Sequence, residues 1–166
     1  KVYEELVRMH KEEGLSFKNV VSFNLDEYYP MEPDSINSYV RFMKELLFNQ
    51  VDMLPENIHI PDGTLSKSDI ADYCSTYEAK IEALGGIDLQ ILGIGGNGHI
   101  GFNESGSLQN SKTRLVALDH ITRVAASNDF SGLDNTPRTA ITLGVKKIME
   151  AKTVILLAWG VGKADI

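Results

Sequence analysis

A mainly apolar stretch from Ile87 to Ile94, broken only by Asp88 and Gln90, passes directly into Gly95-Gly96-Asn97-Gly98-His99, and no other stretch constrains the fold as strongly. The run has the length of one buried strand and is too short for a buried helix, so the glycines around Gly93 and Gly95 lie at a strand's carboxyl end. Glycine at such a place lets the backbone approach another group closely. The rest of the chain repeats the theme. Val20-Val21-Ser22-Phe23 reads as a strand that ends at Asn24-Leu25-Asp26-Glu27, with further strands at 58–60, 113–118, 140–143 and 153–158. Between them, Val2, Leu6 and Met9 before Gly14, and Tyr39, Phe42, Met43, Leu46 and Leu47, recur at helical spacing. The second set predicts a helix over 35–50. Ile70, Tyr73, Tyr77, Ile81 and Leu84 predict another, with Ser68 as its cap and Gly85-Gly86 as its stop, and 145–151 a short one.

Alternating strands and helices predict an α/β, Rossmann-like fold: a mostly parallel sheet with helices on both faces and ligands at the carboxyl ends of the strands. The unusual residues cluster at those ends. Asp26-Glu27 closes the first strand, the glycines and His99 the central one, and Gly160-Val161-Gly162-Lys163 the last. The 166 residues, 43% hydrophobic, suffice for a single domain. Lys1 already stands inside a helical pattern and the chain stops while entering another, so we expect the core of a larger domain, incomplete at both ends.

Sixteen basic and 23 acidic residues give a net charge of −7 without a Lys/Arg cluster, which argues against nucleic acid as a partner. The longest apolar runs are too short to cross a bilayer and no leader pattern precedes a cleavage site, so a soluble cytoplasmic protein is expected. Cys74 stands alone, which removes an internal disulfide and a cysteine metal cage; it reads as packing.

Gly93-Ile94-Gly95-Gly96-Asn97-Gly98 fits the G-x-G-x-x-G dinucleotide fingerprint, with Asp119 about twenty residues on. That motif needs a helix to open at its last glycine, whereas His99-Ile100-Gly101-Phe102-Asn103-Glu104 has no helical period. The other reading is a loop that presents His99 and Glu104 to a ligand, the carboxylate folding back to hold the imidazole. A surface turn with an idle histidine fits the spacing equally well.

Phe23-Asn24-Leu25-Asp26-Glu27-Tyr28 and Leu92-Gly93-Ile94-Gly95-Gly96-Asn97-Gly98-His99-Ile100-Gly101-Phe102-Asn103-Glu104 resemble the two signature segments of glucosamine-6-phosphate deaminases, and the resemblance runs through nearly the whole chain. It implies aldose–ketose isomerisation with loss of ammonia from an amino-sugar phosphate, without metal or nucleotide cofactor. It implies that Asp26 moves the proton between C2 and C1, that His99 opens the pyranose, that Glu104 and Asn97 orient it, and that Gly93 and Gly95 contact the sugar. Lys163 would reach the phosphate, and a homo-oligomer is the family's usual assembly. Glu27 reads as a structural neighbour of the base.

The sequence departs from the family pattern in three places. Asn97 occupies a position that is often aspartate, so it can orient a ring but lends no charge. Ser127-Asn128-Asp129-Phe130 replaces a serine-arginine-phenylalanine run and loses a bidentate phosphate contact, for which Arg123 and Lys112 are the substitutes on offer. A further phosphate loop would lie upstream of Lys1. Arg114 matches a residue of the allosteric site known in some members, but Val116 stands where lysine is expected, so activation by an N-acetylated sugar phosphate is not predicted. A 6-phosphogluconolactonase-like lactone hydrolase, which gives Asp26 no task, and a non-catalytic sugar-phosphate regulator are the alternatives.

Overall fold

The computed structural model describes residues 1–164 and 166. Helix α1 spans Val2–Glu13 and stops at Gly14, whose left-handed φ of 76° turns its N–H back to the carbonyl of Met9. Its inward side, Tyr3, Leu6 and Val7, packs with Phe17, Met43, Leu47, Phe48 and Met53 into one core cluster. Helix α2, Tyr39–Leu46, starts where the Ser38 hydroxyl oxygen accepts the Arg41 N–H at 3.0 Å. It is shorter than the 35–50 periodicity predicts. The helix ends at Leu47 and continues as one 3₁₀ turn, Phe48–Gln50, because Leu47 and Phe48 both turn into that core.

Helix α3, Ile70–Ala83, buries Ile70, Cys74, Tyr77 and Ile81, one stripe at helical spacing, and ends at Gly85 and Gly86, both with positive φ. Its N-cap is Asp69 rather than Ser68, whose hydroxyl is donated to the Asp69 carboxylate. The stripe packs against the strands. Tyr77 and Ile81 meet Leu92, Leu143 and Ile148, with Phe23, Leu25 and Ile100 around them.

Among the described residues the strands form three sheets. β1 (Ser22–Phe23) runs parallel to β3 (Ile58–His59), and β4 (Leu89–Gly93) parallel to β7 (Thr153–Leu157). The third sheet is antiparallel, in the order β2 (Asp26–Tyr29), β6 (Thr139–Thr142), β5 (Arg114–Ala117), where the sequence predicts a mostly parallel arrangement. Asp26 therefore does not sit at the tip of the first strand. The chain breaks at Asn24–Leu25, whose backbone binds His59 and Leu143, and Asp26 opens a second strand opposite Thr142. Two helices follow the antiparallel strands: α4 (His120–Ala126), capped by Asp119 and absent from the periodicity reading, and α5 (Val145–Met149). One face of β4 is covered through Gln90 and Leu92, while Leu89 and Ile91 on the other face are exposed, as are Val154, Ile155 and Leu156 of β7. Among the described residues no helix is long and apolar enough to cross a membrane.

Gly63, in the turn after β3, has no positive φ and is fixed by packing. A Cβ on Gly63 would stand 2.7 Å from the Met31 carbonyl oxygen and 2.9 Å from that of Tyr28, and neither backbone atom can yield cheaply. Gly63→Ala should therefore cost about 1–3 kcal/mol, read as a lower urea midpoint at unchanged m-value.

Candidate active site

Between β4 and β5 the chain forms a loop rather than a helix, so the dinucleotide arrangement is not built. The loop is closed on itself. The Gly95 N–H donates to the His99 carbonyl at 2.8 Å, and the His99 ring lies directly over Gly95, so that a Cβ there would occupy the imidazole's place. Among the described residues, a Cβ on Gly93 meets nothing within 4 Å. The crowding that demands glycine thus belongs to Gly95, and its cause is the ring. Gly98 and Gly101 are required for a different reason, their φ values of 85° and 55°.

The structure joins Asn97, His99 and Glu104 in one hydrogen-bonded chain. The Asn97 amide donates from Nδ2 to Glu104 Oε2 at 2.9 Å, which leaves Oδ1 facing His99 Nδ1 at 2.6 Å. A carboxylate only accepts, so the amide orientation is set and Nδ1 carries the proton. His99 is thereby held as the tautomer with an unprotonated Nε2, able to accept a proton. Glu104 Oε2 stands 3.4 Å from Nδ1, so the carboxylate acts on the ring largely through the amide. Its other oxygen accepts the Asp119 N–H at 3.1 Å, tying the loop to the start of α4. From α4 the Thr122 hydroxyl comes within 3.3 Å of Nδ1, a partner that spacing could not reveal.

Asp26 reaches this loop from β2. Its Oδ2 would lie 3.3 Å from a Cβ on Gly101, two residues beyond His99, and Thr142 Oγ1 only 3.1 Å from the same point. Gly101 is therefore a site residue that the sequence did not single out; besides its positive φ, the crossing of β2 with the loop leaves little room for a side chain there. Burial, and next the negative charge of Glu27, push the Asp26 carboxyl up to about 7. No donor among the described residues reaches that carboxyl, whereas Glu27 is fully hydrogen-bonded within the fold.

The cations are arranged differently from the sequence expectation. Lys163 does come to the loop, donating from Nζ to the Ile94 carbonyl at 2.6 Å. Arg123 is spent on the carbonyls of Leu133, Thr136 and Pro137, so it holds the 133–137 turn instead of standing free for a phosphate. Arg114 binds Asn103 Oδ1 and Ser107 Oγ, at one wall of an open cleft of about 590 Å³ that it shares with Phe102, Glu104, Leu108 and Val116. Neither Asp26 nor His99 lines that cleft.

The family described as glucosamine-6-phosphate isomerases/6-phosphogluconolactonase matches residues 1–166. The chain belongs to this family. A putative glucosamine-6-phosphate deaminase-like protein of Bacteroides thetaiotaomicron is 55% identical over 163 residues, 98% of this chain and 25% of that protein. The glucosamine-6-phosphate deaminase of Oceanobacillus iheyensis is 44% identical over 99% of this chain, which spans 65% of it. Among solved structures, a monomeric glucosamine-6-phosphate deaminase superposes with a TM-score of 0.94 at 40% identity, covering 99% of this chain and 67% of its own. A 6-phosphogluconolactonase from Thermotoga maritima gives 0.69 at 26% identity, over 99% and 66%. The chain thus spans a quarter of one curated relative and about two thirds of the other. That solved deaminase is monomeric and lends no support to a homo-oligomer.

The raised Asp26 carboxyl makes stability depend on pH with a definite sign. A carboxyl whose folded value lies above the unfolded 3.8 favours folding in its protonated form, so its contribution is present below about pH 4 and is lost as pH climbs through about 7. Asp26→Asn should melt above the parent protein at pH 8, and the gap should close towards pH 4 in parallel thermal scans. Asn97→Ala should release the tautomer lock, and the His99 ring nitrogens in ¹⁵N spectra should move from one neutral tautomer to a mixture.

Proposed function

We propose that the protein converts glucosamine 6-phosphate and water to fructose 6-phosphate and ammonia, and that it works in the cytoplasm. The observation that carries this reading is a desolvated carboxyl near neutral proton affinity, Asp26, set beside the loop that holds His99 as an Nε2 acceptor. Membership in the family and the named deaminases at 44–55% identity support the same choice.

In this mechanism His99 Nε2 takes the proton of the C1 hydroxyl and delivers it to the ring oxygen, opening the hemiacetal. Asp26 then removes the C2 proton from the open-chain aldehyde while a proton of the C2 ammonium passes to O1, giving an enolamine, and Asp26 returns its proton to C1, leaving a protonated imine at C2. Water adds to that carbon, ammonia leaves, and the ketose remains. A value near 7 lets Asp26 take a proton and give it back at similar cost. Gly93 and Gly95 present loop backbone to the sugar, and Asn97 with Glu104 keeps the imidazole in register. Lys163 would turn from the Ile94 carbonyl to the phosphate. A lactone hydrolase would need His99 alone and would leave Asp26 unused.

Ammonia release from glucosamine 6-phosphate by the full-length protein is the direct assay. Asp26→Asn should abolish exchange of the C2 proton with solvent while sugar-phosphate binding stays within a fewfold of the parent. Exchange at the parental rate removes Asp26 as the base; tight binding without any ammonia points to a regulator, and turnover of a sugar lactone to a hydrolase. His99→Gln should slow the cyclic substrate far more than substrate already open.

A further inference from the structure

Glu27 is 1% exposed and has no task in the proton transfers described above. Successive side chains of a strand point to opposite faces, so Glu27 turns away from the Gly101 side that Asp26 occupies and reaches the start of α2. Oε1 accepts the Tyr28 N–H at 2.9 Å and Oε2 the Val40 N–H at 3.1 Å, and the Tyr39 N–H also bonds the carboxylate. Tyr39 and Val40 open α2, so the carboxylate satisfies donors that the Ser38 cap leaves over. Burial raises the Glu27 carboxyl overall, and these three N–H groups oppose the rise because they favour the ionised form.

The surroundings of Asp26 make that charge matter. Among the described residues, the titratable groups coupled to it are Glu27 and Tyr28 on its own strand, Tyr3 on α1, Tyr39 on α2 and Tyr77 on α3. All four phenols are shifted upward, so they stay neutral wherever a carboxyl titrates. Opposite Asp26, Thr142 and Gly101 carry no charge, and Arg114, one strand beyond Thr142, is turned to Asn103 and Ser107.

We propose that Glu27 is a positioning residue for the proton-transfer base: clamped on the first turn of α2, it fixes the start of β2 and supplies the standing negative charge beside Asp26. The proposal rests on the reading of Asp26 as that base. The three N–H groups on Glu27 favour its charged form while Asp26 has no donor among the described residues, so the charge stays on Glu27 through turnover and Asp26 is the stronger base for it.

The test is Glu27→Gln in the full-length protein, with side-chain carboxyl carbons followed by ¹³C NMR without substrate and Asp26→Asn used for assignment. The Asp26 titration should fall by about one pH unit, and the acid limb of kcat/KM on glucosamine 6-phosphate should move down with it. A folded Glu27→Gln protein with both unmoved overturns the proposal, because a role in packing alone would alter yield or melting and leave the titration in place. Should the variant not fold, the parent protein still decides: its Asp26 resonance should show a small inflection at the ionisation of Glu27 and a large one higher, and a single inflection overturns the coupling. Coupled titrations with no ammonia release keep the pairing and remove only the deaminase reading.

Discussion

Asn103, 5% exposed, holds the site together. Its amide nitrogen donates to the carbonyls of Leu143 at 2.9 Å and Ile100 at 3.1 Å, and its oxygen accepts from Arg114 at 3.0 Å. A buried amide left without partners costs on the order of 1–3 kcal/mol, so this contact fixes the loop rather than merely decorating it. One residue earlier, the Phe102 N–H donates to Thr142 Oγ1. Together they staple the loop carrying His99 and Glu104 to the end of β6, the strand that also pairs with β2 and therefore sets Asp26. Two segments about seventy residues apart meet through a third that contributes no reacting group.

The same economy governs the electrostatics. The fold keeps its cations away from Asp26: Arg123 is consumed by backbone carbonyls, Arg114 by Asn103 and Ser107, and Lys163 by the glycine loop. What remains near the carboxyl is a set of neutral phenols and one anchored carboxylate. Desolvation raises a carboxyl and a neighbouring anion raises it further, and here both act in the same direction. His99 is handled in the opposite manner. An amide, rather than a charged group, stands at its Nδ1, so orientation is secured while the charge of Glu104 acts from 3.4 Å.

Helix spacing was legible wherever one stripe is buried, as with Ile70, Cys74, Tyr77 and Ile81, since period 3.6 survives any tertiary context. Helix ends were less so. Leu47 and Phe48 continue the apolar pattern of α2 but leave its geometry, because the core clamps them at another angle. Helix α4 is short and its signal, Asp119 as N-cap, looked like a strand end.

Asp26, Asn97, His99, Glu104 and Lys163 were visible as residue types at strand ends, and the two signature segments identified the family. A linear pattern, however, carries no strand direction. That Asp26 opens an antiparallel strand, that its carboxyl crowds Gly101, and that Thr122 and Asp119 close the loop from α4 all depend on contacts between residues distant in sequence. The amino-acid order determined which chemical groups exist and which segments bury an apolar stripe, because those follow from side chains and local periodicity. Only the tertiary structure decided which groups meet and how tightly each proton is held, because both depend on the distance and dielectric between parts of the chain that do not adjoin.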